Sequence, residues 1–548
     1  MTPSQHGSAF KSLLILLSGV LVGGLATGAV ILGIIDVVRE TPTEDLGAPT
    51  FVEESDDDGI DQIYAGEFQF FVGGGVAVFD CNEDHFPDLY IAGGSQSAGL
   101  YLNGSEDGGP LRFDRVTSLV TDLNDVTGAY PIDVDSDGIT DLAVLRVGEN
   151  VMLRGTGDCV FEPANDHWEI DGGDEWTAAF SAVWEEGQSL PTIAFGNYLA
   201  LTRSGARDEC EDHYLFRPDG TTYKEPVILS PGFCTLSILF SDWSRRGNRD
   251  LRMTNDRHYY REGQEQLWRV EPGEAPRLYT GDDGWQTMQI WGMGIASHDL
   301  TGDGLPEVFL TSQGDNKLQT VSDGARPAYE DIALEVGATA HRPFLGDTNQ
   351  PSTAWHAEFG DVNNDGFVDI FVTKGNVDAQ TDFAMEDPNN LLLGQSDGTF
   401  LEGAEEAGLI DYARSRGGAL ADLNRDGLLD VVVAERRQPA SVWRNMGDAG
   451  NWLAVDVQQP APNSDAIGAW MELRSNNSTI SAEITIGGGH AGGELGPVHF
   501  GLGQADSVEL RVIWPDGERS RWMSTEANQT VVVKRGSGGV SILSPLQD

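Results

Sequence analysis

Five times along the chain the same spacing of oxygen-bearing side chains recurs, and each copy runs directly into an apolar strand-like segment. In "DVNNDGFVDIFV" the residues Asp361, Asn363, Asp365 and Asp369 fall at positions 1, 3, 5 and 9 around Gly366. The others are Asp133, Asp135, Asp137 and Asp141; Asp422, Asn424, Asp426 and Asp430; Asp299, Thr301, Asp303 and Glu307; and Asp80, Asn82, Asp84 and Asp88. The last set carries His85 where the rest have Gly, the residue that reaches positive φ most cheaply. Such spacing turns several oxygens inward, as a loop closing round a hard cation does. Solvated acidic turns would account for one copy, but not for five with the same offsets. An EF-hand is excluded, because it needs a bidentate Glu at position 12 and flanking helices; here position 12 is Ile91, Val144, Leu310, Val372 or Val433. Crowded carboxylates repel one another, and a bound ion reverses that sign, so the metal would set the turn that starts each buried strand.

The first Asp of each loop stands at 80, 133, 299, 361 and 422. A period near 55 to 60 residues leaves room for two further units between the second and third loops, and two degenerate ones lie there. "LFSDWSRRGNRDLRM" keeps Asp242, Ser244, Gly247 and Asp250 but has Arg246 in a ligand position, and "AFSAVWEEGQSLPTIAFG" keeps Gly187 while losing the carboxylates. Each unit opens on a small-residue strand such as "GGGVAVF" or "SRGGALA", crosses the loop and leaves on an apolar strand, with a second turn and strand following in most. Four short strands per repeat, arranged radially, predict an all-β, seven-bladed β-propeller. Small residues in the opening strands suit its crowded centre.

These repeats resemble VCBS/FG-GAP repeats, the calcium-loop blades also found in integrin α-chains. After residue 450 the order "NWLAVDV", "AIGAWMEL", "GGGH", "HFGLG" and "WPDG" resembles the ASPIC/UnbV module of the cartilage acidic protein-like family. The resemblance implies a propeller joined to a small β-sandwich-like module, and four to five Ca²⁺ ions held by the side chains above and a position-7 carbonyl such as that of Phe367. No loop shows an open coordination site backed by a base, so the expected role of the metal is structural, and no catalytic residue is assigned.

Residues 13–35 form an uncharged apolar run long enough to span a bilayer, preceded by Lys11 and followed by Asp36, Arg39 and Glu40. The expected organisation is a cytoplasmic N-terminus (1–11), a signal anchor or transmembrane helix (12–35), an acidic linker (36–61), the propeller (62–450), the module (451–535) and a flexible tail (536–548). The bulk of the chain would then lie outside the cytoplasm, or be secreted if the segment were cleaved. Gly19, Gly23, Gly24 and Gly28 have the spacing that lets two such helices pack as a homo-oligomer. Cys81, Cys159, Cys210 and Cys234 suit disulfides on the exported side, with Cys210 and Cys234 the first pairing to expect.

With 34 basic and 87 acidic residues, the net charge of −53 excludes nucleic-acid binding through bulk electrostatics. The expected function is a binding or adhesion module for a protein or glycan, with Trp176, Trp285, Trp291 and Trp355 as candidates to line a face of the propeller or to pack between blades. One alternative is a hydrolase or lyase at the channel mouth using His298, His356 or His499, near Asp299, Glu358 and Asp506 in sequence. No G-x-S-x-G, H-E-x-x-H, P-loop or GxGxxG context supports it. Another is a scaffold subunit of an envelope complex.

Overall fold

The computed structural model describes residues 45–543 apart from 56–57, 201–208, 257–262, 323, 340–349, 448 and 476–477. The expected anchor at 12–35 lies outside the described residues, among which no helix is long and apolar enough to cross a membrane.

The chain is all-β and propeller-like. Each repeat, including both degenerate ones, lies in its own sheet with an antiparallel core of four strands that starts at the opening segment; the first sheet gains a fifth, parallel strand, and there are seven such sheets among the described residues. The opening strands are Val76–Phe79, Val126–Ile132, Thr177–Val183, Thr235–Ser241, Gly292–His298, Ala354–Gly360 and Ser415–Ala421. Each packs on the next, and the last packs on the first, so the strands form a closed inner ring. Both faces of every second strand are covered by neighbouring sheets. That is why "DVVVAE" and "DIFVTK" carry apolar stretches without alternation and why all their residues are buried.

The seventh sheet takes its fourth strand from the other end of the chain. Phe51–Glu53 pairs antiparallel with Ser441–Asn445, matching Phe51 with Asn445 and Glu53 with Trp443. The segment 36–61, expected to be a linker, therefore contains the strand that closes the ring. Its edge would otherwise leave a row of unpaired N–H and C=O groups.

From Asn451 the chain builds two four-stranded sheets, one ordered Val498–Gly503, Asn451–Gln458, Gln529–Lys534, Val540–Ile542, the other Ser478–Glu483, Trp470–Ser475, Ser507–Ile513, Met523–Glu526. Alternate residues of "SVELRVI" are buried, as expected for a half-covered strand. The inner faces share a core of Leu453, Val455, Met471, Leu473, Phe500, Leu510, Val512 and Val531. Val540–Ile542 pairs with Val531–Val533, so the expected tail supplies an edge strand.

This sandwich sends the segment between Glu483 and Val498 into the centre of the ring. Glu494 and Leu495 pair in parallel with Val78 and Phe79. Bridges join Ile486 to Ala182, Gly487 to Leu239, Gly489 to Ile295 and Gly492 to Ala129. The main-chain N–H of His490 donates to His356 Nδ1 (3.0 Å), and Gly73 donates to His490 Nε2 (3.2 Å). The small residues of the opening strands answer both to the inserted chain and to the neighbouring sheets: a Cβ on Gly128 would stand 1.8 Å from the carbonyl oxygen of Ala491, and one on Gly360 2.7 Å from Leu429 of the next repeat.

Phe51 is buried against Leu391, Leu393, Val431 and Trp443, so Phe51→Ala should cost about 3–5 kcal/mol by chemical denaturation. Gly128→Val, which overpacks the centre, should cost about 1–3 kcal/mol and raise hydrogen exchange selectively in residues 484–495.

Candidate functional site

All five acidic loops connect the first and second strands of a sheet, and they share one hydrogen-bonded turn. The carboxylate at position 1 accepts from the main-chain N–H of position 6: His85 (2.8 Å), Gly138 (2.9 Å), Gly304 (3.0 Å), Gly366 (2.7 Å) and Gly427 (2.9 Å). His85 adopts φ 69°, at a steric cost that glycine avoids elsewhere. The degenerate loop keeps the same bond, from Gly247 to Asp242 (2.7 Å).

Position 9 has a second task. In the sixth sheet Asp369 accepts from Val362 N (2.8 Å) and Gly394 N (2.8 Å), and Asp430 in the seventh accepts from Leu423 N (3.0 Å) and Asn445 N (2.8 Å). Asp88 and Asp141 do likewise. Each of these carboxylates ties its loop to the neighbouring strand hairpin and retains only some of its lone pairs for a cation.

The electrostatics of the loops call for positive charge. Burial, followed by neighbouring carboxylates, pushes Asp361, Asp369 and Asp430 well above the ordinary carboxyl range, while Asp422 and Asp88 rise to about 7 and Asp141 to about 8. Glu307 rises to about 7, chiefly through burial. The buried Oδ1 atoms of Asp299 and Asp135 have no hydrogen-bond partner, and Asp133, Asp135 and Asp141 bring one oxygen each within 4.8 Å of one another. The donor sets therefore fit a hard divalent cation. The second loop has a competitor that the local motif did not reveal: Arg154, on the following hairpin, donates from Nε to Asp135 (2.8 Å) and from another nitrogen to Asp137.

These loops face the sandwich. Ser464 donates to Asp133 (2.6 Å), Ser481 to Asp299, Gly503 N to the carbonyl of Asn364 (2.8 Å), and His499 pairs with Asn364 (2.7 Å). The degenerate fourth loop carries cationic docking contacts in place of a ligand set: Arg245 pairs with Glu472 (2.7 Å) and lies over Trp470, and Arg249 donates to the carbonyl of Gly468 (2.5 Å).

Of the candidate histidines, His356 is buried and His298 and His499 are half-buried. Burial lowers His298 and His499 to about 4 and His356 to about 3. His356 Nε2 lies 3.3 Å from Glu358, deep beside the inserted segment.

At the opposite strand ends, just before the opening strands and just after the second strands, lies a cavity of about 140 Å³. Trp176, Trp291 and Trp355 line it together with Tyr198, Asp256 and Phe383. Trp285 is elsewhere, buried between the fourth and fifth sheets. Behind Trp355 stand His490 of the inserted segment (5.2 Å between ring centres) and Arg416 (4.1 Å).

Comparison with known proteins matches residues 299–372 and 361–433 to the FG-GAP-like repeat and residues 459–540 to the ASPIC and UnbV family. The chain thus carries FG-GAP-like repeats and an ASPIC and UnbV domain, and spans less than a fifth of the length of the curated relatives it matches. It is similar to cartilage acidic protein 1 of Mus musculus, 36% identical over 125 residues, covering 22% of this chain and 19% of that protein. With the Homo sapiens protein it is 37% identical over 110 residues, 19% of this chain and 16% of the relative. Among solved structures, BBS1N in complex with ARL6DN overlaps 73% of this chain and 97% of its own at 10% identity and a TM-score of 0.37, too low to carry an argument.

Replacing Arg154 by Gln should leave Asp135 and Asp137 without their guanidinium. The expected result is tighter binding of a divalent cation at the second loop, read by metal titration against the parent chain.

Proposed function

We propose that the protein is an exported, calcium-stabilised seven-bladed β-propeller that acts as a binding module for a protein or glycan ligand, presenting the face opposite its C-terminal sandwich. The observation that carries this reading is the division of the ring into two faces. One face, with the acidic loops, is taken up by the module, while the other presents an aromatic cavity with polar groups at its rim. Calcium suits the loops because their donors are carboxylate, amide and hydroxyl oxygens, with no nitrogen or sulfur ligand in the five sets. The sixth loop is the best candidate, since its carboxylates Asp361, Asp365 and Asp369 are all buried and no arginine bridges them as Arg154 does in the second; the seventh follows, with Asp430 buried and Asp422 and Asp426 half-buried.

The role of the ion is structural. It would neutralise carboxylates that burial disfavours and hold each turn in the conformation already defined by the position-1 and position-9 hydrogen bonds. Disulfides Cys81–Cys159, between the first and second sheets, and Cys210–Cys234 favour an oxidising compartment. Membrane attachment would come from residues 12–35. The histidines weighed for hydrolase or lyase chemistry stand away from the aromatic cavity, which favours binding over catalysis.

Calcium should raise the melting temperature of the full chain over that in EDTA. A site at a hundredfold excess over its Kd adds about 2.7 kcal/mol. Asp361→Asn with Asp365→Asn should lower the calcium stoichiometry by one. An identical melt in EDTA and calcium, with no bound metal, would overturn the calcium reading.

A further inference from the structure

Two acidic side chains meet where the inserted segment passes the sixth inner strand. Three residues before the first Asp of its loop, that strand carries Glu358, where the first, second, fourth, fifth and seventh carry Ala77, Tyr130, Leu239, Ala296 and Ala419. The Glu358 carboxyl shares a hydrogen bond with that of Glu494, whose main chain pairs in parallel with Val78 of the first inner strand. Both side chains are half-buried, Glu358 at 22% exposure.

The surrounding donors decide which of the two is ionised. Glu358 Oε2 accepts from the Leu420 N–H of the seventh inner strand (3.0 Å). His356 Nδ1 accepts from the His490 N–H (3.0 Å), so its ring proton sits on Nε2, 3.3 Å from the same Glu358 oxygen. With both donors on Glu358, Glu494 has to bring the hydrogen of the shared bond. Without that hydrogen two carboxylates would face each other, and like charges so close disfavour ionisation. Desolvation, followed by the charge of Glu358, holds Glu494 well above the usual carboxyl range, and desolvation holds Glu358 at about 8. The other titratable groups at the centre are His298 of the fifth inner strand, whose ring lies against Phe359 (5.9 Å), and Tyr130 of the second, which donates to the Gly488 carbonyl (3.2 Å). Arg416 of the seventh acts on His490 and is held by main-chain carbonyls. Burial keeps His298 and His356 neutral.

We propose that a proton shared by Glu358 and Glu494 seats residues 484–495 in the ring, so that a rise in pH loosens the junction between the ring and its C-terminal sandwich. The seated form binds more protons than the released one, in which both glutamates titrate normally. Seating is therefore strongest in acid and is lost as pH rises through the range in which the folded pair gives up its proton. His490 of the same segment stands 5.2 Å from Trp355, so the loosening reaches the wall of the aromatic cavity.

Hydrogen exchange on the full chain in saturating calcium, corrected for the intrinsic pH dependence of exchange, tests this. Protection of residues 484–495 should fall about tenfold or more between about pH 6 and about pH 9, beyond any change in the outer strands. Glu494→Gln, whose amide donates to Glu358 at every pH, should hold that protection level. Glu358→Gln keeps the contact from the other side and is the second variant should the first fail to fold. The parent should also show the infrared carbonyl stretch of a protonated carboxyl at neutral pH, diminished in Glu494→Gln. Protection that is flat with pH in the parent, absence of that band, or a fall that persists in both variants would overturn the proposal. So would protection that follows calcium at fixed pH but not protons, which would assign the pair to a bound cation.

Discussion

The passage of residues 484–495 through the centre of the ring is the contact on which the arrangement depends. Main-chain groups of this segment meet the inner strands of successive sheets, and its histidine is hydrogen-bonded on both sides, to Gly73 and to His356. Such close approach of backbone to backbone is feasible only where side chains are missing, which accounts for Gly128 in the second opening strand. The ring and the sandwich consequently share a core element, and residues Pro42–Asp548 form one compact unit.

The insertion also brings together groups that would be unfavourable to bury alone. Glu358, from the sixth inner strand, is raised to about 8 by burial, and Glu494 of the inserted segment is held well above the usual carboxyl range by burial and by Glu358. The buried Arg416 is satisfied by carbonyls of Phe71, Ser415 and Val377 and lies over Trp355. Polar groups in the middle of the ring are thus tied to the wall of the aromatic cavity, so the two faces are connected through Trp355, Arg416 and His490.

Much of the repeat was legible because its information is local. A turn of the form Asp-x-Asn/Asp-x-Asp-Gly closes through hydrogen bonds between residues four and five apart, and the degenerate copy at Asp242 preserves that closure after losing a ligand position. The period therefore located two sheets with poor motifs. The Cys210–Cys234 pairing and the cavity positions of Trp176, Trp291 and Trp355 could also be anticipated, whereas Trp285 looked equivalent in sequence and is packed between sheets. Arg154 was not legible as a competitor for the second loop, since nothing in its own hairpin indicates which way its guanidinium turns.

Sequence by itself determined the repeating unit, its turn chemistry, the change of architecture near residue 450 and the oxygen-rich character of the loops, all set by neighbours within a few residues. Only the tertiary structure decided that Phe51–Glu53 completes the last sheet, that a glycine-rich connection fills the centre, and that the acidic loops face the sandwich while the tryptophans face away. These outcomes depend on pairings between segments hundreds of residues apart, where hydrogen-bond complementarity and available volume choose the partner and no local pattern records it.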